Sequence, residues 1–178
     1  MASKTQNKTK KTSVKTQKSS VKAVETVIKI DKTAIPKGDS KEDIKKREKI
    51  IKEFYKQWAQ IKRGNCKEDC RYCKKSCRKV YNKSLKENIY VKQISVTDTV
   101  EHSSKSYLST LAVLQLDTIL QLARKIDTVK ASANSNNQNV FEKMILMECE
   151  FGGRKVSLKV GVKRSDKTKV QYCITAIR

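Results

Sequence analysis

The strictest pattern in this 178-residue chain is an alternation in the segment "RKVSLKVGVKR", residues 154–164. Apolar side chains stand at every second position of this segment: Val156, Leu158, Val160 and Val162. The positions between them carry mainly lysine and serine, and successive side chains of a strand point to opposite faces of a sheet. The segment therefore predicts a β-strand with one buried and one cationic face, which needs neighbouring strands and a covering layer.

Two further segments predict the neighbouring strands. The stretch "VFEKMILMECEF" comes first and is joined to residues 154–164 by Gly152 and Gly153, which are typical of a tight turn. The stretch "KVQYCITAI" follows the turn sequence "SDKT" and alternates again. The C-terminal third thus predicts a three-stranded antiparallel β-meander.

The covering layer is predicted by the most apolar stretch of the chain, residues 107–132. Its apolar residues recur at three- and four-residue steps, which is typical of an amphipathic helix. The predicted fold class is α+β, with one long central helix packed on the C-terminal antiparallel β-meander. We expect an amphipathic helix and a cysteine cluster to precede this unit, after a disordered basic N-terminal tail.

The amphipathic helix is predicted within residues 39–64. Ser40 is a suitable N-cap with Asp43 three positions later, and Gly64 marks the expected end. The apolar stripe of this helix is formed by Ile44, Ile51, Phe54, Tyr55, Trp58 and Ile61. Between this helix and the central one, "NIYVKQISV" predicts a strand and "TDTVEHSSKSY" predicts a loop.

Composition divides the chain into three parts. Residues 1–38 contain much Lys, Ser and Thr and few large apolar side chains, so they are expected to form the disordered basic tail. Residues 39–80 hold the amphipathic helix and the cysteine-rich segment. Residues 81–178 hold the α+β domain.

Four cysteines lie close together in "GNCKEDCRYCKKSC": Cys66, Cys70, Cys73 and Cys77. In one straight helix the first and last would be about 16 Å apart, whereas the sulfur ligands of one zinc ion lie about 4 Å from each other. We therefore predict a break between Cys70 and Cys73 and a structural zinc site, because clustered cysteines in a reducing cytosol are typically metal ligands. A redox-sensing thiol cluster and a helical stripe of buried cysteines remain as alternatives.

The formal net charge is +23, from 41 Lys and Arg residues against 18 Asp and Glu. Such an excess favours a polyanionic partner, and nucleic acid is the first candidate. No apolar run approaches the roughly 20 residues of a membrane span, and the apolar core of a secretory signal is lacking. The expected location is the cytoplasm.

The chain has one histidine, His102. Histidine titrates near neutrality and can act as general base or acid in phosphodiester cleavage. Lys105 or Tyr172 would then donate the proton to the leaving oxygen, and cations would offset the phosphate charge. The cations predicted for this role are Lys159, Lys163 and Arg164. The competing interpretation is that a polar histidine in a serine-rich loop is a surface or capping residue.

An order of four elements runs from "VYNKSLKENIYV" at residue 80 to the end of the chain. An early strand is followed by the His-bearing "TVEHSSKSYLST", the helical "LDTILQLARK" and the meander "GGRKVSLKVGVKRSDKTKVQYCITAI". In this order the segment resembles the nuclease-like modules of phage and mobile-element proteins in the barnase–EndoU–colicin–RelE group. The resemblance implies metal-independent ribonuclease activity or RNA binding, with His102 as the residue that carries over.

Together these patterns predict a basic RNA-binding protein of a phage or mobile element, in the cytoplasm of a bacterial or phage-infected cell. It would act as a metal-independent endoribonuclease or bind RNA without cleavage. The cations expected to contact RNA on the open sheet face are Lys155, Lys159, Lys163 and Arg164. The alternative is a non-catalytic inhibitor or adaptor that docks on an acidic or RNA-containing host complex.

Overall fold

The computed structural model describes residues 30–59, 78–133 and 137–177. After a short 3₁₀ turn, Lys32–Ala34, the described ranges contain four α-helices and six strands. The helices are α1 Lys41–Trp58, α2 Gln93–Ser103, α3 Tyr107–Val113 and α4 Leu116–Leu122. The strands are β1 Arg78–Asn82, β2 Glu87–Val91, β3 Arg124–Lys130, β4 Phe141–Phe151, β5 Arg154–Lys163 and β6 Lys169–Ile177.

The strands form one mixed sheet in the order β1-β2-β6-β5-β4-β3. Neighbours are antiparallel except β2 and β6, which run parallel over two residue pairs, Ile89 with Lys169 and Tyr90 with Val170. The predicted α+β class is confirmed. The predicted three-stranded sheet was too small. β4, β5 and β6 are three adjacent strands of a six-stranded sheet.

The predicted long central helix is wrong. Residues 107–132 form α3, α4 and then β3, which pairs antiparallel with β4. The helix ends at Leu122 because the buried amide of Asn82 donates to the carbonyls of Leu120 and Ala123, at 2.7 and 2.9 Å. β-Branched residues follow, and pairing with the eleven-residue β4 outweighs the helical spacing of the apolar residues.

The predicted strand and loop between the first helix and the central stretch are also partly wrong. The predicted strand ends early at Val91, and α2 takes up the rest of it together with most of the predicted loop. Ser95 Oγ accepts a hydrogen bond from the backbone N–H of Lys92 at the start of α2. Ser95, Thr99 and Ser103 are buried on one side of this helix, whereas Thr97 is exposed.

This side of α2 lies against an unpaired edge of β6. Among the described residues, β6 has no hydrogen-bonded strand on its β2 side beyond Val170. Three hydroxyls of α2, spaced four residues apart, donate to its carbonyls there: Ser95 to Gln171 (2.6 Å), Thr99 to Tyr172 (3.4 Å) and Ser103 to Ile174. We call Ser95, Thr99 and Ser103 the hydroxyl edge. It supplies the donors that another strand would supply, and thereby fixes α2 beside β6.

The apolar residues of β5 are buried as predicted. Val156, Leu158, Val160 and Val162 are at most 3 % exposed. They define the inner face of the sheet, which all four helices cover, and the face that carries Lys155, Ser157 and Lys159 is the outer face. α1 adds Ile51, Phe54, Tyr55 and Trp58 to the same core.

The start of α1 is confirmed at Ser40, whose hydroxyl accepts from the Asp43 N–H at 3.1 Å. α1 also contributes Arg47, which is fully buried. Its guanidinium donates to the carbonyls of Ser104 (2.6 Å) and Pro36 (2.9 Å), and so ties α1 to the end of α2. The expected helix end at Gly64 lies outside the described residues, and the expected domain boundary at residue 80 falls within β1.

Loss of one hydroxyl of the hydroxyl edge should destabilise the fold. In the variant Ser103→Ala, the carbonyl of Ile174 stays buried without its donor, which should lower the free energy of unfolding by about 1–3 kcal/mol. The matched control is Thr97→Ala on the exposed side of α2, where the hydroxyl bonds only within the helix. It should change stability by less than about 0.5 kcal/mol. Urea unfolding measures both, and equal effects would contradict the structural role of the edge.

Candidate functional site

The side of α2 that faces away from the core brings three ionisable groups together. Asp98, Glu101 and His102 stand at helical spacing i, i+3 and i+4, and their functional atoms all lie within 4.8 Å of one another. Glu101 and His102 are exposed, whereas Asp98 is 1 % exposed. We call these three residues the α2 cluster. An exposed base and acid thus sit directly above a buried carboxyl group.

Asp98 is held in place from the loop before β4. The amide of Asn137 donates to Asp98 Oδ1 at 3.2 Å. Burial raises the pKa of Asp98 above its ordinary value, while its interactions with Tyr172 and Asn137 and the positive charge of His102 act in the opposite direction. Asp98 therefore links His102 on the helix to Tyr172 on β6.

Cys173 of β6 is acted on by charges from both β5 and the α2 cluster. In the sheet register it is opposite Lys159 of β5. Burial raises the pKa of the Cys173 thiol to about 11; the charge of Lys159 opposes this shift, and that of Asp98 adds to it. Cys173 is therefore within electrostatic range of Lys159 and of Asp98, the buried member of the α2 cluster.

The predicted catalytic residues occupy different environments. His102 lies in the last turn of α2 and is exposed. Tyr172 is 4 % exposed and packs edge-to-face on Phe141, with ring centroids 5.9 Å apart. Lys105 follows α2 with an exposed side chain, and its carbonyl accepts from Arg47 Nη2 at 3.5 Å. His102 is thus the one of the three that combines exposure with a position in the α2 cluster.

The four cations expected to form a ladder on β5 also differ. Lys159 is exposed, and Lys155 is paired with Glu148 at 2.6 Å. The side chain of Lys163 is only 10 % exposed and lies 3.7 Å from Asp166. Arg164 is in the turn after β5, where its Nε donates to the carbonyl of Asn139 at 3.2 Å. Lys159 is therefore the exposed cation of this set whose charge acts on Cys173.

Asp98 and Glu101 were not predicted as site residues. Their spacing to His102 carries information only on a helix, and the segment was interpreted as a loop. Had the buried Ser and Thr at four-residue steps been recognised as one helical side, the pattern Asp98-x-x-Glu101-His102 on another side would have been visible.

The predicted zinc ligands Cys66, Cys70, Cys73 and Cys77 lie outside the described residues, so the zinc site stays a prediction. The two cysteines of the described ranges, Cys149 and Cys173, are free thiols. Among the described residues, the α2 cluster is the group whose ligand types and distances suit a metal ion.

Comparison with known protein families, curated proteins and solved structures yields no match to this chain. In the part of the chain that the structure describes, no helix has the length and apolarity needed to cross a membrane. The interpretation of the site therefore rests on its own geometry.

Replacement of Asp98 by asparagine should make stability less dependent on pH. Because the folded state holds the Asp98 proton more tightly than the unfolded chain, the stability it contributes is present at low pH and is lost as pH rises through the raised pKa. We expect Asp98→Asn to be more stable than the wild type at pH 7, with this charge-dependent difference shrinking as pH falls through the raised pKa and absent below about pH 4.

Asp166→Asn is the matched control, because hydrogen bonds from Thr168 lower the pKa of Asp166. Its carboxylate contributes stability above its ordinary pKa that is lost as pH falls, so this variant should be less stable at pH 7 and equal to the wild type in acid. Thermal unfolding across this pH range measures both. A greater stability deficit of Asp98→Asn at pH 7 than at pH 3 would contradict the assigned environment.

Proposed function

We propose that the protein binds RNA on the outer face of its sheet and cleaves it there as a metal-independent endoribonuclease. The observation that carries the proposal is the pair of exposed proton-transfer groups, Glu101 and His102, above the buried Asp98, with the exposed Lys159 on the outer face of the sheet. The proposal keeps His102 as a proton-transfer group but makes it the proton donor, in place of the predicted Tyr172 or Lys105, with Glu101 as the base.

The chemistry is an attack of the ribose 2′-hydroxyl on the adjacent phosphorus. The Glu101 carboxylate accepts the 2′-hydroxyl proton as the new P–O2′ bond forms. The P–O5′ bond breaks, and the His102 imidazolium donates a proton to the departing 5′ oxygen. The products are a 2′,3′-cyclic phosphate and a 5′-hydroxyl. Lys159 offsets the negative charge that develops on the non-bridging oxygens.

Asp98 acts as a positioning residue in this scheme. Its carboxyl group is fixed by Asn137 and lies four residues before His102 on the same side of α2. It therefore limits the orientations of the imidazole, as a buried carboxyl does for a histidine in acid–base catalysis.

The net charge of +23 supports a polyanionic substrate. The resemblance to nuclease-like modules of phage and mobile elements is in keeping with this proposal, and we expect the activity in the cytoplasm of a bacterial or infected cell. If six to ten cations contact phosphates, affinity should fall by about 10³ to 10⁵ between 50 and 200 mM salt.

Cleavage of RNA in buffer with EDTA tests the proposed activity. His102→Ala and Glu101→Gln should each lower the rate by about 10²-fold or more, because each removes one proton-transfer group. Lys159→Ala should lower it as well. The control Lys49→Ala removes one exposed charge from α1 and should leave the rate unchanged. Far-UV circular dichroism checks that each variant is folded.

Intact RNA over a wide range of protein concentrations would overturn the nuclease proposal. Salt-dependent RNA binding that His102→Ala does not alter would then indicate a binding protein. Capture of a host complex that survives nuclease treatment and high salt would favour the adaptor.

A further inference from the structure

A depression lies at the N-terminal end of β6. It is a groove of about 610 Å³ between the β1–β2 turn and the β5–β6 turn. Its lining includes Tyr81, Lys86, Asn88, Tyr90, Lys167 and Lys169, together with the acidic Glu87 and Asp166, which pair with Lys169 and Lys163. We call it the turn groove. None of these residues belongs to the α2 cluster.

The turn groove displays aromatic rings on one face of the sheet. Tyr81 is 54 % exposed and is directly opposite Asn88 in the β1–β2 pair. Asn88 and Tyr90 are two residues apart on β2 and therefore share that face. An exposed tyrosine flanked by a second tyrosine and an amide is the chemistry that stacks and contacts an unpaired base.

Two lysines of the groove adopt a backbone conformation that lysine disfavours. Lys86 has φ of 54° and Lys167 has φ of 57°. In the described part of the chain they are the only non-glycine residues with positive φ. Glycine or asparagine is the usual residue in this region. Each of the two turns thus has a lysine at the groove, although glycine or asparagine would fit the turn backbone with less strain.

A lysine of the groove can exchange its acidic partner for a phosphate. Lys167 pairs with Glu142, and both side chains are largely exposed, at 67 % and 41 %. An exposed ion pair of this kind contributes little to stability, so a phosphate can replace its carboxylate. On the outer face, Val170 of β6 is beside Tyr90 of the groove and lies three positions before Cys173, about 10 Å at 3.3 Å per residue.

We propose that the turn groove binds a single-stranded segment of the RNA, with one base stacked on Tyr81 and phosphates at Lys86 and Lys167. This inference rests on the proposed function, which it deepens by naming an unpaired strand as the preferred substrate. A duplex holds its bases inside the helix and has none to offer to Tyr81.

Fluorescence anisotropy with an RNA whose 2′-hydroxyls are methylated, and which therefore cannot be cleaved, tests the aromatic contact. Tyr81→Leu should weaken binding of the single strand by at least about fivefold, whereas Tyr81→Phe keeps the ring and should bind like the wild type. Binding of a duplex of the same sequence should be equal for all three proteins. If Tyr81→Leu and Tyr81→Phe weakened single-strand binding equally, or if neither weakened it, the stacking role would be overturned.

The double variant Lys86→Gly/Lys167→Gly separates function from fold. Glycine relieves the disfavoured φ at both turns, so the thermal midpoint should stay equal or rise. The slope of log affinity against log salt concentration should fall in magnitude by about 1.4, since two phosphate contacts to a single strand are lost. The matched control, Lys45→Ala/Lys49→Ala on α1, removes the same charge and should preserve the slope.

Cleavage of a dinucleoside monophosphate distinguishes the two proposals, because this substrate is too short to reach the groove. Normal dinucleotide cleavage together with weaker binding of the long single strand, in the groove variants, supports the inference. Normal cleavage with unchanged strand affinity and slope overturns the inference and leaves the nuclease proposal standing. A wild-type protein that neither binds nor cleaves any RNA overturns both.

Discussion

The unpaired edge of β6 is the constraint on which the rest of this structure depends. A strand that loses its neighbour after Val170 leaves buried carbonyls without donors, and the hydroxyl edge of α2 supplies them. The four-residue spacing of these hydroxyls fixes both the rotation and the axial position of α2. With those fixed, Asp98 lies close enough to β6 for its charge to act on the Cys173 thiol, and His102 belongs to the same cluster.

A buried polar network fastens this arrangement to the core. The hydroxyl of Tyr55 on α1 donates to Gln171 Oε1 at 2.9 Å, and the Gln171 amide donates to Thr99 Oγ1 at 2.9 Å. Arg47 holds the other end of α2 through the Ser104 carbonyl. α1 therefore acts as a brace for the α2 cluster. The site sits on rigid elements, as catalysis by positioned acid and base groups requires.

The sequence correctly predicts elements that depend on neighbouring residues. Its predictions fail where contacts with distant parts of the chain determine the structure. The alternation of β5 and the cap at Ser40 depend on neighbouring residues, and both predictions agree with the structure. β3 was missed because its strand character comes from pairing with β4, and α2 was missed because Ser95, Thr99 and Ser103 are polar yet buried against β6. Since the helix was missed, Glu101 could not be grouped with His102, which was predicted only from its chemistry.

The most direct measurement is an amide NMR titration of the full chain with the uncleavable methylated single-stranded RNA. If α2 and β6 form the site, the shifts among the described residues outside the turn groove should be largest at Asp98–Ser103, at Lys159 and at Tyr172–Ile174, and should saturate together. Shifts confined to α1 and the inner-face strand residues, with α2 and β6 unperturbed at saturating RNA, would contradict the account.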